Sequence, residues 1–145
     1  QPMRLAVAES LGATAIHIGQ EDPLEAVLAR TDGEGADFTF EAAGHSSATA
    51  LAPEITATAG VVVQIGWPES EQVPYKVEMV LAKELDVRGI NRYANAFGPA
   101  LALVGRGAIR VEPIITHRFP FAQAPEAFAL AHEHPEQVIK VVVLS

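Results

Sequence analysis

Few side chains in this sequence can do acid-base or metal chemistry, and their spacing narrows what that chemistry is. There is no cysteine, so neither a disulfide nor a thiolate zinc site can form. His132-Glu133-His134 sets two imidazoles two residues apart, a spacing that can grip one ion in extended chain. Beside Pro135 and near a helix end they are read as solvated, and no metal site is assigned. His117 lies on an apolar run and is read as a hydrogen-bonded structural residue rather than a catalyst. Glu41 has no nucleophile or second carboxylate for company, so no acid-base role and no catalytic residue is assigned. Arg92-Tyr93 remains, a guanidinium and a phenol that can donate several hydrogen bonds to adjacent hydroxyls. A surface ion pair beside a packed Tyr is the competing reading.

Periodicity supplies the elements that must position these groups. Leu5, Ala8 and Leu11 recur at helical spacing before Gly12, and Ala15 to Ile18 reads as a short strand. Asp22-Pro23-Leu24-Glu25 has the cap, the proline and the acid of a helix start. A strand follows at Asp37 to Glu41. A helix capped by Ser46 or Ser47, interrupted by Pro53 and ended by Gly60, leads to the β-branched run Val61 to Ile65. That run suits the middle of a sheet covered on both faces. Val73-Pro74-Tyr75 reads as a short strand, Val77 to Glu84 as a helix, and Leu85 to Ile90 as an edge strand alternating with Asp86 and Arg88. Helix near Asn95 to Arg106, strand Ile114 to Phe119, helix Ala124 to His132 and strand Val138 to Leu144 complete the chain. Such alternation specifies an α/β fold with a mainly parallel sheet, whose ligands bind beyond the carboxyl ends of the strands. The turns after Glu41, Ile65 and Ile90 are the places to look.

Composition narrows the partners. The 145 residues are 49% hydrophobic and 19% charged, the profile of a folded domain, and a single packed core is possible on size alone. The apolar runs are far shorter than the ~20 residues that span a bilayer, and no secretory leader is read at Gln1, so the expected location is cytoplasmic. A net charge of −8 opposes binding to nucleic acid or anionic lipid.

The ordered motifs Gly35-Ala36-Asp37, Phe40-Glu41-Ala42-Ala43-Gly44, Val63-Gln64-Ile65-Gly66, Gly89-Ile90-Asn91-Arg92-Tyr93 and Ile115-Thr116-His117-Arg118-Phe119-Pro120 resemble the medium-chain dehydrogenase/reductase family. Arg92-Tyr93 is similar to its polyol (sorbitol and xylitol) dehydrogenase branch. The resemblance covers the whole chain and implies the C-terminal fragment of a zinc-dependent enzyme that oxidises a polyol or secondary alcohol by passing hydride to NAD. It implies a partial doubly wound, Rossmann-like sheet lacking its first two strands, with residues 1–107 in the cofactor domain. Residues 108–145 then form a strand-helix-strand segment that returns to the catalytic domain. Zinc ligands, the Gly-x-Gly-x-x-Gly turn and the acid that holds the adenine ribose are absent, so NADP stays open beside NAD. The same resemblance places Ile65, Gly66 and Trp67 against the nicotinamide, Ile90, Asn91 and Arg92 beside the cofactor, and Arg4 near the adenine ribose. Arg92 and Tyr93 are the implied substrate pair. Asn91 departs from the aromatic residue expected of that branch.

A sheet without its first two strands leaves unpaired backbone on both sides of a gap about 10 Å wide, at ~4.8 Å per strand. Exposed edges favour pairing with another chain, so a homo-oligomer or a piece of a larger protein is expected, and the fragment alone is expected to be inactive. The rival reading is a noncatalytic α/β module that uses its edges for assembly or binds a nucleotide-like ligand.

Overall fold

Six helices and five strands form in a computed structural model that describes residues 1–145. They divide between two compact units, His17–Ala94 and a second assembled from Gln1–Ile16 with Asn95–Ser145, rather than sharing a single core.

The contiguous unit is built around strand β2 (Thr56–Gln64), flanked in parallel by β1 (Ala36–Glu41) and β3 (Asp86–Gly89). The middle and edge positions are those the β-branched and alternating patterns indicate. Val62 is fully buried and meets Ala52 and Leu85, with Val80 packed against them. Helix α2 (Pro23–Arg30) starts where the sequence indicates: the Asp22 carboxylate accepts the N–H groups of Leu24 and Glu25 at 2.9 and 3.0 Å.

Helix α3 (Ser46–Ile55) departs from the sequence reading at both ends. Its cap is His45, whose Nδ1 accepts the Ser47 N–H, rather than either serine. It ends two residues after Pro53, not at Gly60, because the carbonyls at that end find other partners. The Thr56 hydroxyl donates to the Ala52 carbonyl at 2.7 Å and lies 2.7 Å from the Thr39 hydroxyl. The Lys83 ammonium, beyond α4 (Val77–Ala82), donates to the carbonyls of Pro53, Glu54 and Thr56 at 3.3, 2.7 and 2.7 Å. A cation on a helix C-terminus both satisfies orphan carbonyls and complements the helix dipole. Residues 56–59 are thereby released to begin β2, with an irregular register against β1 and Ala59 at φ 59°.

Two expected strands do not form. Ala15 to Ile18 is irregular chain, and the strand that would neighbour it is absent from the sheet, so its backbone has no ladder to join. Val73-Pro74-Tyr75 is likewise not a strand; its proline lacks the N–H that a ladder needs. The Tyr75 hydroxyl is buried without a hydrogen-bond partner, and this burial raises its pKa.

The second unit contains α1 (Pro2–Ser10), α5 (Phe97–Gly105), β4 (Ile115–Pro120), α6 (Ala124–Glu133) and β5 (Lys140–Leu144). β4 and β5 are parallel and joined through α6, the strand-helix-strand arrangement the sequence indicates. The Thr116 hydroxyl pins them by donating to the Lys140 carbonyl and accepting the Ile139 N–H. His117 corrects another expectation: its Nδ1 is buried without a hydrogen-bond partner, and its ring stacks on Phe119 at 6.4 Å, so packing holds it.

Several large apolar side chains, Phe38, Phe40 and Phe128 among them, are exposed. Replacing Lys83 by Met keeps the stem and removes the ammonium. Unfolding free energy is expected to fall by about 2 kcal/mol in denaturant titrations, and a change below ~0.5 kcal/mol, the range of ordinary surface substitutions, contradicts the capping role.

Candidate cofactor-binding rim

Because β1, β2 and β3 are parallel, their carboxyl ends share one rim. Glu41, the last residue of β1, organises it. Its side chain is 3% exposed, and Oε1 accepts the N–H groups of Ala43 and Gly44, each at 2.8 Å. Oε2 accepts the Gln64 amide, which also donates to the Gly66 carbonyl at 3.1 Å. The Glu41 carbonyl receives the N–H groups of Ile65 and Gly66 at 2.8 Å. A buried carboxylate must be neutralised or hydrogen-bonded, and here donors from two loops converge on it.

This convergence explains two glycines. A Cβ on Gly66 would collide with the Gly44 nitrogen and stand 2.5 Å from Glu41 Oε2, and one on Gly44, at φ +72°, would strike the Trp67 carbonyl. Only two bare backbones fit face to face. Beyond them Glu69 latches the loop: its N–H donates to the Gly44 carbonyl at 3.3 Å, and its Oε1 accepts the Ser46 N–H and hydroxyl at 3.3 and 3.0 Å. Those hydrogen bonds from the Ser46 N–H and then its hydroxyl, with His45 Nε2 3.8 Å away, lower the Glu69 pKa.

The residues singled out by sequence fall into two groups. Ile65, Gly66 and Trp67 leave β2 while Ile90, Asn91 and Arg92 leave β3, and the Ile90 N–H donates to the Gln64 carbonyl at 2.9 Å. Trp67 is 80% exposed. Arg92 turns the chain with φ 60° and is exposed, as are Asn91 and Tyr93. Arg4 belongs to the other unit, where its guanidinium donates to the Val138 carbonyl at 3.1 Å and to Gln1 Oε1 at 2.9 Å. There it lines a cavity of about 330 Å³ with Ala127, Phe128, Val138, Lys140 and Val143. Sequence reasoning passed over Glu41, Gln64 and Gly44 as architects of the rim, and Lys140 as a second cation in that cavity. A carboxylate at a strand end, directly before two alanines and a glycine, is the signal that was available.

The sequence profile of a family described as zinc-binding dehydrogenase matches residues 1–106. The chain belongs to the zinc-binding dehydrogenase family. Over 144 residues it is 28% identical to sorbitol dehydrogenase from Bacillus subtilis (strain 168), covering 99% of this chain and 41% of that protein. L-threonine 3-dehydrogenase from Bacillus licheniformis is 34% identical over 144 residues, covering 97% and 41%. Among solved structures, the short chain alcohol dehydrogenase from E. coli CFT073 complexed with NADH has a TM-score of 0.85 at 26% identity, covering 100% of this chain and 42% of that one. This zinc-binding dehydrogenase chain thus spans about two fifths of the length of the curated relatives it matches. The family resemblance carried by the five motifs is borne out, as is the Rossmann-like α/β fold class.

Two outcomes test the rim. Glu41→Gln puts an amide where donors converge, and unfolding free energy is expected to drop by about 2–3 kcal/mol, with faster hydrogen exchange at Gly44 and Gly66; unchanged exchange there refutes the clamp. The Glu69 latch stabilises its charged form, so it is complete at neutral pH and is lost only as pH falls through the lowered pKa. In an NMR titration the Ser46 amide should therefore move with a midpoint below the ordinary glutamate value, and a midpoint at or above that value rules the latch out.

Proposed function

We propose that this chain supplies the nicotinamide side of the cofactor site in an NAD(P)-dependent alcohol or polyol dehydrogenase. The observation that carries the reading is the Glu41-locked rim, where half-buried Gly66, clamped against Gly44, holds exposed Ile65 and Trp67 in fixed positions. When bound, the nicotinamide takes up a hydride from the alcohol carbon. Ile65 and Trp67 present apolar surface to that ring, Gly66 fixes the turn between them, and Ile90, Asn91 and Arg92 border it from β3. Arg92 and Tyr93 offer donors to substrate hydroxyls. Arg4 is proposed, separately and within its own unit, as a cofactor contact, where it and Lys140 put two cations on one cavity suited to an anionic group.

Zinc is a property of the family, and this chain offers it no site. It contains no cysteine and no group of three His, Asp or Glu side chains placed to hold a metal. No step is assigned to zinc here. No helix is long and apolar enough to cross a membrane. A cytoplasmic location and a homo-oligomeric enzyme belong to the reading, as does the absence of nucleic-acid or membrane partners, which the net charge of −8 supports. Residues 108–145 serve, on this proposal, as the segment that returns to the catalytic domain.

Trp67 is the sole tryptophan and lies on the rim, so its fluorescence reports the ring directly. NADH is expected to quench it at roughly millimolar concentration, since the phosphate-binding turn that contributes much of dinucleotide affinity is lacking. AMP should leave it unchanged, and the 145-residue chain alone should form no NADH from NAD and sorbitol. Equal quenching by AMP, or none by NADH at solubility, overturns the nicotinamide assignment; turnover by the chain alone overturns the division of labour.

A further inference from the structure

Gln64 ends β2 and stands beside Glu41 of β1 and Gly89 of β3 in the sheet register. Its main-chain carbonyl accepts the Ile90 N–H at 2.9 Å, a bond that any residue could make there. Its side chain makes bonds that depend on residue type. Nε2 donates both to Glu41 Oε2 and to the Gly66 carbonyl, the latter at 3.1 Å. An amide nitrogen carries two N–H groups, so both donors are used. The reversed amide would set its oxygen against a carboxylate and a carbonyl, acceptor facing acceptor, so the network fixes which way the side chain lies.

The bond to Gly66 reaches a peptide that the main-chain contacts leave alone. The Glu41 carbonyl holds the N–H groups of Ile65 and Gly66, each at 2.8 Å, and so anchors the peptides 64–65 and 65–66. The carbonyl of the next peptide, 66–67, is held by the Gln64 side chain. A peptide is planar, so fixing that carbonyl also fixes the Trp67 N–H and the Cα from which the indole departs.

We propose that Gln64 is a positioning residue of the rim: acting through the Gly66–Trp67 peptide, it holds Trp67 in the orientation that receives the nicotinamide ring. The inference rests on the nicotinamide reading above and adds the side chain that sets the geometry. Gln64 spends both donors inward, on Glu41 and Gly66, and acts without touching the cofactor. With the donors removed, the 66–67 peptide rotates, and only a fraction of its orientations present Trp67 correctly. Apparent affinity falls by that fraction. The worth of one hydrogen bond sets the scale at about fivefold.

Because the role lies in the donors, variants should sort by donors and not by size. Gln64→Leu removes them, Gln64→Glu turns acceptors on acceptors beside Glu41, and Gln64→Lys keeps donors for both partners. Trp67 is the sole tryptophan, so time-resolved anisotropy reads its nanosecond mobility without cofactor. Mobility should rise in the Leu and Glu variants and stay unchanged in the Lys variant. The initial slope of NADH quenching should fall about fivefold in the first two and hold in the third. Val62→Ala weakens the same strand from the core, and it should leave Trp67 mobility unchanged. In the unmodified chain, the Gln64 side-chain N–H protons should exchange about tenfold more slowly than those of exposed Gln72. Exchange as fast as at Gln72, which needs no variant to fold, overturns the proposal. So does unchanged Trp67 mobility in Gln64→Leu, equal loosening by Val62→Ala, or a Lys variant that behaves as Leu does. If mobility follows the donors while NADH leaves the unmodified chain unquenched, the nicotinamide reading falls and the anchoring of Trp67 by Gln64 is supported.

Discussion

A carboxylate withdrawn from water needs donors, and the rim of this protein is arranged around that requirement at Glu41. One oxygen is met by two amides of the turn that follows, the other by the Gln64 side chain from the neighbouring strand. Satisfying the charge from both sides forces two loops into contact, and contact at that distance excludes side chains at residues 44 and 66. The loop that leaves β2 is thus held by electrostatics and hydrogen bonding, and it needs little apolar packing of its own. Its backbone groups stay fixed while the outer face remains open.

The rest of the contiguous unit is held by a small core and by polar contacts that do more than their number suggests. Ala52, Val62 and Leu85 form its centre. Around it, Thr56 and Lys83 close the end of α3 and fix where β2 begins. Because α3 packs on the sheet, an error in its length would shift the register of the middle strand, and with it the position of residues 64–66. Lys83 therefore influences the rim from the opposite end of the strand.

Most of the architecture was legible in the sequence, because periodicity and caps are local. Asp22-Pro23 placed α2, the β-branched run placed β2 in the middle, and the alternation at Val87 placed β3 at an edge. What failed depended on partners distant in sequence. Ala15 to Ile18 has the composition of a strand and lacks a neighbour, and strands exist only as pairs. His45 outcompeted two serines as a cap because its ring reaches the Ser47 N–H and also faces Glu69. Glu41 looked idle because a solitary carboxylate suggests catalysis only with a companion; its use is structural, and its donors lie up to 23 residues away. Family membership was readable from motif order, whereas the second cation of the Arg4 cavity, Lys140, is separated from Arg4 by most of the chain.

The two units differ in how they are threaded. One is a single stretch, and the other is stitched from the first sixteen residues and the last fifty-one. The bond from Arg4 to Val138 closes a loop 134 residues apart in sequence. During synthesis the contiguous unit has all its parts before α5 leaves the ribosome, and it can fold at once. Helix α1, nine residues long with no buried side chain, is too short to persist by itself in water and must wait for β5. Helix α1 is therefore permanent only once β5, made more than a hundred residues later, is in place.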